Sequence, residues 1–229
     1  SSKESIDVVG GAEALAAVVA EASLCQRDID NGSLTALVDM LNDLPESVSG
    51  VPVAKTALFR LRACHLLRLR GLNISLEAII SAERSESQAL DIIRTFISSF
   101  VENSEGESTT NWSILWKELL SLQSGVFHRC LTHDKILSLL VRSQLEHEDW
   151  PHAKAHIPAS GTAGTVGALV GGLKELSGSV SSILPVSAAE DVICAVSAQF
   201  MQQARDIEDK YALDAEKCLN LMPLNATVS

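Results

Sequence analysis

The sequence predicts an all-α fold, built of antiparallel helix pairs that stack as a segment of an α-solenoid. Apolar residues recur at three- and four-residue steps in nearly every segment, which is the spacing of one helix face. Hydrophobic residues make up 46% of the 229 residues but aromatic residues only 4%. A core of small aliphatic side chains suits closely packed helices. No stretch shows a convincing alternation of apolar and polar residues, the pattern of a half-buried strand.

Two helices are predicted in the N-terminal part of the chain. The first covers residues 12–24 and is rich in Ala, Val and Leu, and the turn-forming residues 30–32 follow it. Ser33 can cap a second, short helix, which Pro45 ends. The chain does not begin with Met, and we expect it to be a piece of a longer protein.

A long third helix is predicted from Pro52 to Arg70. Proline is favoured in the first turn of a helix, and Gly71 is placed to end this one. The arginines of the helix are scattered around its axis, whereas a nucleic-acid-binding helix collects them on one face. We therefore expect a largely buried helix whose arginines extend to the surface or pair with acidic residues; these arginines are Arg60, Arg62, Arg68 and Arg70.

Further helices follow up to a composition change near residue 158. Ser75 starts one, and residues 85–101 continue or restart it before the acidic, apolar-free loop 102–110. Asn111 is predicted to cap the next helix, which carries two tryptophans on one face, at 112 and 116, and which Gly125 should end. Thr132 opens another helix.

A short helix capped by Asp149, with Pro151 in its first turn, is predicted next. Residues 158–186, rich in Gly, Ser, Ala and Thr, read as a flexible insertion. The predicted organisation is therefore a helical-repeat part at 1–157, this insertion, a helix hairpin at 187–223 and a tail at 224–229.

The hairpin at 187–223 has the clearest amphipathic pattern. Ser187 and Glu190 have the spacing of a capping box, and Pro223 should end the second helix. The predicted buried face of the first helix consists of Val192, Ile193, Val196, Phe200 and Ala204. That of the second consists of Tyr211, Ala215, Cys218, Leu219 and Met222. Each helix must bury this face, which predicts antiparallel packing of the two.

Charge and cysteine content narrow the functional classes. A net charge of −11 and a pI of about 4.9 argue against binding to nucleic acid or anionic lipid. The five cysteines are odd in number, widely spaced and without a CxxC, so we expect buried free thiols in a reducing compartment. Four Asn-x-Ser/Thr sequons point instead to secretion; they lie at Asn31, Asn73, Asn111 and Asn225.

No motif with catalytic chemistry is found. The sequence lacks GxSxG, HExxH and GxxxxGK[ST]. His147, His152 and His156 are clustered, and the last two have a spacing that can hold a metal, but no third ligand is fixed by spacing. We expect a solvated helix edge there. We therefore predict a protein that is not an enzyme and that binds no metal or cofactor.

Three segments together resemble a known family. The first is W-x-E-L-x-x-L-x-x-G within 116–129, the second is K-I-L-S-L-L-V-R-S-Q-L before a Trp-Pro-His-Ala helix at 133–157, and the third ends in A-x-K-C-L-N-L-M-P at 215–223. Their order resembles the Sec thirty-nine-type domain of the neuroblastoma-amplified sequence protein and its plant counterparts. The likeness covers roughly the last half of the chain.

This resemblance implies a solenoid subunit of the complex that tethers Golgi-derived vesicles at the endoplasmic reticulum. It implies binding to helical tether subunits and to ER SNARE proteins, and a peripheral place on the cytosolic face of that membrane. The outward positions chosen to test such binding are Gln203, Asp206 and Lys210. Two alternatives stay open: an unrelated helical-repeat adaptor of coat or kinetochore type, and a helical enzyme or ligand-binding bundle, which would need a convergent polar pocket.

Overall fold

The fold is all-α, as predicted. The computed structural model describes residues 51–104, 111–158, 182–206 and 208–223, and these contain eight α-helices, one π-helical turn and no strand. The predicted helices before residue 50, nearly all of the 158–186 insertion and the 224–229 tail lie outside the described residues. The helices are α1 Val51–Leu69, α2 Leu76–Ala82, α3 Glu86–Ser104, α4 Trp112–Leu122, α5 His133–Glu146, α6 Trp150–His156, α7 Val186–Gln203 and α8 Lys210–Leu219.

The chain divides into two compact units, with the boundary between Thr132 and His133. Unit 1 holds α1 to α4 and unit 2 holds α5 to α8. In unit 1, helices that follow one another in the chain pack together, and in unit 2 α5 packs on α6 and on α7, and α7 packs on α8. This local pairing is compatible with the helical solenoid that the sequence predicts.

The end of α1 confirms the role predicted for Gly71. Gly71 has a positive φ of 81°, a conformation that glycine adopts without a Cβ penalty. The Leu72 N–H donates to the Leu67 carbonyl at 3.0 Å and the Gly71 N–H to the Arg68 carbonyl at 2.9 Å. These two bonds make a Schellman motif, which satisfies carbonyls that the helix end would leave without partners.

Two predicted N-caps of unit 1, Ser75 and Asn111, are also present, while the predicted cap Ser33 lies outside the described residues. The Ser75 hydroxyl accepts from the Ala78 N–H at 3.2 Å, and the Asn111 side chain accepts from the Ile114 N–H at 3.2 Å. Residues 83–85 separate α2 from α3, so the helix restarts there rather than continuing. The acidic segment predicted as a loop from 102 begins as helix instead, because α3 extends to Ser104.

The prediction that Gly125 ends α4 is wrong. A π-helical turn, Gln123–Phe127, follows α4 without a break and contains Gly125. Val126 and Phe127, near the end of this turn, are buried. Burial of these two side chains favours a continued, widened turn over a glycine stop.

Unit 2 ends in an antiparallel hairpin of α7 and α8. Ile193 pairs with Cys218 through a thiol–carbonyl contact of 3.5 Å, Ser197 with Ala215 through a hydroxyl–carbonyl bond of 3.3 Å, and Phe200 with Tyr211 through stacked rings. Partners that rise along α7 descend along α8, which defines the antiparallel sense. Helix α7 also packs on α5, and α5 packs on α6.

Two details of the predicted hairpin are wrong. Helix α7 begins at Val186 with Pro185 as its N-cap, and no side chain caps it, so Ser187 is not the capping residue. The extended backbone of Pro185, with its φ of −55°, already supplies the entry geometry. In α8, Tyr211 and Leu219 are 40% and 46% exposed while Asp214 is fully buried, because α8 packs through small residues.

Candidate protein-binding surface

The loop end of the hairpin is the place where the test positions from the sequence come together. We call residues 201–211, apart from the undescribed 207, the hairpin tip. Gln203 is the last residue of α7, Asp206 lies in the loop and Lys210 is the first residue of α8. All three are exposed. The structure therefore brings the three predicted positions to one end of unit 2.

Two carboxylates hold the loop of the tip in shape. Asp209 accepts from the Tyr211 N–H at 3.0 Å and from the Arg205 N–H at 3.2 Å. These backbone donors, the Tyr211 N–H first, lower the pKa of Asp209. Asp206 accepts from the Glu208 N–H at 3.0 Å. Asp206 is therefore part of the loop framework as well as part of the surface.

Lys210 connects the tip to the turn between α5 and α6 through an exposed ion pair. Its ammonium group is hydrogen-bonded and ion-paired with the carboxylate of Glu148, which raises the pKa of Lys210. Glu148 has a positive φ of 59°, in the left-handed region that non-glycine residues seldom adopt. It directly precedes Asp149, which caps α6 as predicted by accepting from the His152 N–H.

Three aromatic rings underlie the tip. Trp150 lies 6.4 Å from Phe200, and Phe200 lies 6.5 Å from Tyr211, measured between ring centroids. Phe200 is buried, but Tyr211 is 40% exposed and neighbouring Met201 is 54% exposed. The tip therefore exposes two large side chains, Met201 and Tyr211, among polar residues, and ring contacts connect the three helices beneath it.

Sequence reasoning placed Tyr211 in the core and did not single out Met201. Both belong to this surface, and the available signal was the Asp209 cap. That cap puts Tyr211 in the first turn of α8, at the end of the interface with α7. Tyr and Met are both enriched at protein interfaces. The arrangement suits contact with another protein.

The clustered histidines make separate local contacts. The Nδ1 atom of His147 lies 2.8 Å from the Ser143 carbonyl, and that of His152 lies 2.8 Å from Asp149 Oδ1. The Nδ1 atom of His156 lies 2.7 Å from the Ser182 carbonyl, and burial lowers the pKa of this ring. In the part of the chain that the structure describes, no three His, Cys, Asp or Glu side chains are grouped to hold a metal.

The four cysteines within the described residues are free thiols. Burial raises the pKa of Cys64 and Cys130, and that of Cys218 to about 11, which keeps these thiols protonated near neutral pH. Cys194 departs from the prediction of burial, since it is exposed on α7. Cys25 lies outside the described residues.

Comparison with known proteins gives one distant similarity. The chain is 21% identical over 174 residues to MAG2-interacting protein 2 of Arabidopsis thaliana. The match covers 76% of this chain and only about 6% of the length of that protein, which is named for its interaction with MAG2. No family model and no solved structure matches the chain. None of the described helices has the length and apolar character needed to span a bilayer.

Proposed function

We propose that the chain is a non-enzymatic helical scaffold in a vesicle-tethering subunit of Golgi-to-ER retrograde transport. It binds helical tether subunits and ER SNARE proteins through helix contacts, and it works on the cytosolic face of the endoplasmic reticulum. The similarity to a protein named for binding another protein carries this proposal. The family resemblance seen in the sequence supplies the transport role.

The hairpin tip supports the protein-binding part of the proposal. Its exposed Met201 and Tyr211 lie on a framework held by ring contacts and by the backbone hydrogen bonds that Asp209 accepts. A surface that is already ordered loses little conformational entropy when a partner binds. An apolar centre with a polar rim is the usual anatomy of a protein interface.

The experiment is affinity capture of tether subunits and ER SNARE proteins by the full-length protein with a substituted tip. Gln203→Lys and Tyr211→Ser should weaken capture and leave the fold intact. Gln88→Lys is the matched control, since Gln88 is exposed on α3 in unit 1. If the wild-type protein captures no ER tether or SNARE, the transport role is wrong. If capture survives every tip substitution, binding lies elsewhere in the protein.

A further inference from the structure

Unit 1 contains a cavity between α1 and the π-helical turn. Its volume is about 210 Å³. Phe59, Arg62 and Leu66 line it from α1, at steps of three and four residues along one helix face. Ser121, Ser124 and Gly125 line the opposite side. The cavity therefore combines apolar walls with two hydroxyls and one guanidinium group.

The local structure explains why this space is open. The π turn adds one residue to the helix, and apart from Leu122 the residues that line the cavity on this side are small. A Cβ on Gly125 would lie 3.4 Å from the nearest atom of the Phe59 ring, so the ring already contacts the glycine. Larger residues at 121 and 124 would fill the remaining space. π turns of this kind are frequent at functional sites.

Arg62 differs from Arg60 in α1 and from Arg70 directly after it, which both face carboxylates. Arg60 makes two bonds of 2.6 Å to Glu83, and Arg70 makes bonds of 3.1 and 2.6 Å to Glu118. Within the described residues Arg62 makes no hydrogen bond or ion pair. It is half-buried at the cavity, where a guanidinium group favours a carboxylate partner.

We propose that this cavity binds a segment of a partner protein that carries a carboxylate next to a large apolar side chain. The carboxylate pairs with Arg62, and the apolar side chain lies between Phe59 and Leu66. This inference rests on the proposed function as a protein-binding scaffold and adds a second contact site, in unit 1. The charge complementarity at Arg62 selects this occupant.

Size and charge support the side chains of a short peptide segment, rather than a metabolite or a polyanion, as the occupant. Pockets that hold metabolites or drugs have volumes of roughly 300–1,000 Å³, and this one is smaller. The chain as a whole has a net charge of −11, which disfavours polyanions such as nucleic acids or polyphosphates. One carboxylate flanked by apolar surface avoids that repulsion.

The test compares two dipeptides that differ in one charge, by NMR titration of the isotopically labelled chain. The probes are N-acetyl-Phe-Glu-amide and N-acetyl-Phe-Gln-amide, and 3-phenylpropionate is the small-molecule comparison. We expect the Glu dipeptide to shift the Gly125 amide and the Arg62 side-chain resonances. We expect it to bind about fivefold more tightly than the Gln dipeptide, the range of a partly exposed ion pair. Arg62→Gln should abolish this preference.

Two further variants locate the site. Arg84→Gln removes an exposed arginine of unit 1 that does not line the cavity, and it should keep the preference. Ser121→Leu should fill the cavity and weaken both dipeptides. The comparison of the two dipeptides on the wild-type chain needs no variant. It therefore tests the carboxylate preference even if Arg62→Gln fails to fold.

Three results would overturn the proposal: equal binding of the two dipeptides, resonance shifts confined to other surfaces, or binding of 3-phenylpropionate with exclusion of both dipeptides. The last result would indicate a small-molecule site. A full-length wild-type protein that captures no tether subunit or SNARE, while the chain still prefers the Glu dipeptide, would instead contradict only the transport role.

Discussion

The two units hold their helices together by different means. In unit 1, two-pronged ion pairs join neighbouring helices: Arg60 with Glu83, and Arg70 with Glu118. Arg70 also lies 4.5 Å from the centre of the Phe100 ring. In unit 2, α7 and α8 approach closely through small residues, with Ser197 bonded to the Ala215 carbonyl. The contrast is therefore between the two-pronged arginine–carboxylate pairs of unit 1 and the direct contact of small side chains in the α7–α8 interface of unit 2.

This difference explains where each unit tolerates imperfect packing. Long arginine side chains hold α1 in place from the edges, so a cavity can persist in the middle of that interface. In the α7–α8 interface the irregularity that the structure shows is polar. Asp214 is fully buried there, and its Oδ2 atom lacks a hydrogen-bond partner in the described structure.

The largest expected effect is that of a charge placed in the α7–α8 interface. Val196 is fully buried, so Val196→Asp should lower the free energy of unfolding by at least about 3 kcal/mol, because the new carboxylate has no partner. Urea unfolding followed by circular dichroism measures this. Gln203→Asp adds the same side chain to an exposed position of α7 and should have little effect. Equal effects of the two would show that the hairpin is not packed as described.

The next effect tests the bridging pairs of unit 1. A double-mutant cycle with Arg70→Gln and Glu118→Gln should give a coupling of roughly 1–2 kcal/mol, because the pair is two-pronged and mostly buried. Its side chains are 30% and 19% exposed. The Arg94–Asp91 pair on α3 is the control, at 57% and 67% exposed, and its coupling should be near zero. Similar couplings would mean that geometry and burial do not matter here.

Local rules predicted the parts of the fold that depend on neighbouring residues. Gly71 ends α1, and Asn111 and Asp149 cap α4 and α6, because each uses a backbone group within four residues. The pairing predicted for the arginines of α1 is confirmed for Arg60 and Arg70. Helical periodicity also identified the buried positions Ile193, Val196 and Phe200.

The misses depend on tertiary contacts that the pattern does not contain. The sequence predicts that Gly125 ends α4, but the helix continues past Gly125 as a π turn because Val126 and Phe127 are buried there. Tyr211 was read as core because it is apolar at the right spacing, but the first turn of α8 lies at the edge of the interface. The sequence pattern does not predict the site at Arg62, because the pattern does not show which arginines lie next to a carboxylate in the fold.

The third prediction concerns a buried polar side chain in unit 2, whose replacement should raise the free energy of unfolding instead of lowering it. Gln144 is fully buried, and neither its amide nitrogen nor its amide oxygen has a partner in the described structure. Gln144→Met keeps the volume and removes that cost, so we expect stabilisation by roughly 1 kcal/mol. Gln199→Met is the control, because Gln199 accepts from Arg142 at 3.1 Å and should gain nothing. Destabilisation by Gln144→Met would show that the amide is hydrogen-bonded in solution.

A smaller effect is expected on the pH dependence of local stability where α6 contacts residues 182–184. Burial lowers the pKa of His156, so the folded chain binds fewer protons than the unfolded chain below the ordinary pKa of about 6.5. The contribution of the neutral, buried His156 to the free energy of unfolding is therefore fully present above that pH and is lost on acidification. The Leu184 N–H donates to the His156 carbonyl at 2.8 Å. The protection factor of this amide, which corrects for the slower intrinsic exchange at lower pH, should therefore fall on acidification.

His156→Gln should remove this pH dependence at Leu184. His152→Gln should not, because His152 is 55% exposed and bonded only to Asp149 within the described residues. An acid-sensitive Leu184 amide in the His156→Gln variant would assign the effect to another group.

The smallest effect compares two lysines of α8. Lys210 and Glu148 are 65% and 41% exposed, and a pair so open to water contributes little to stability. Lys210→Gln should therefore leave the urea midpoint unchanged. Lys217 lies 2.8 Å from the buried carboxylate of Asp214, and within the described residues it is the hydrogen-bond donor to that carboxylate. Lys217→Gln replaces the ammonium group with a shorter neutral amide, so the same substitution should lower the midpoint measurably here. Equal midpoints of the two variants would show that Asp214 is hydrogen-bonded to water or to another donor. Unit 2 would then keep a buried carboxylate without an ion pair, unlike unit 1, where Glu83 and Glu118 are paired with arginines.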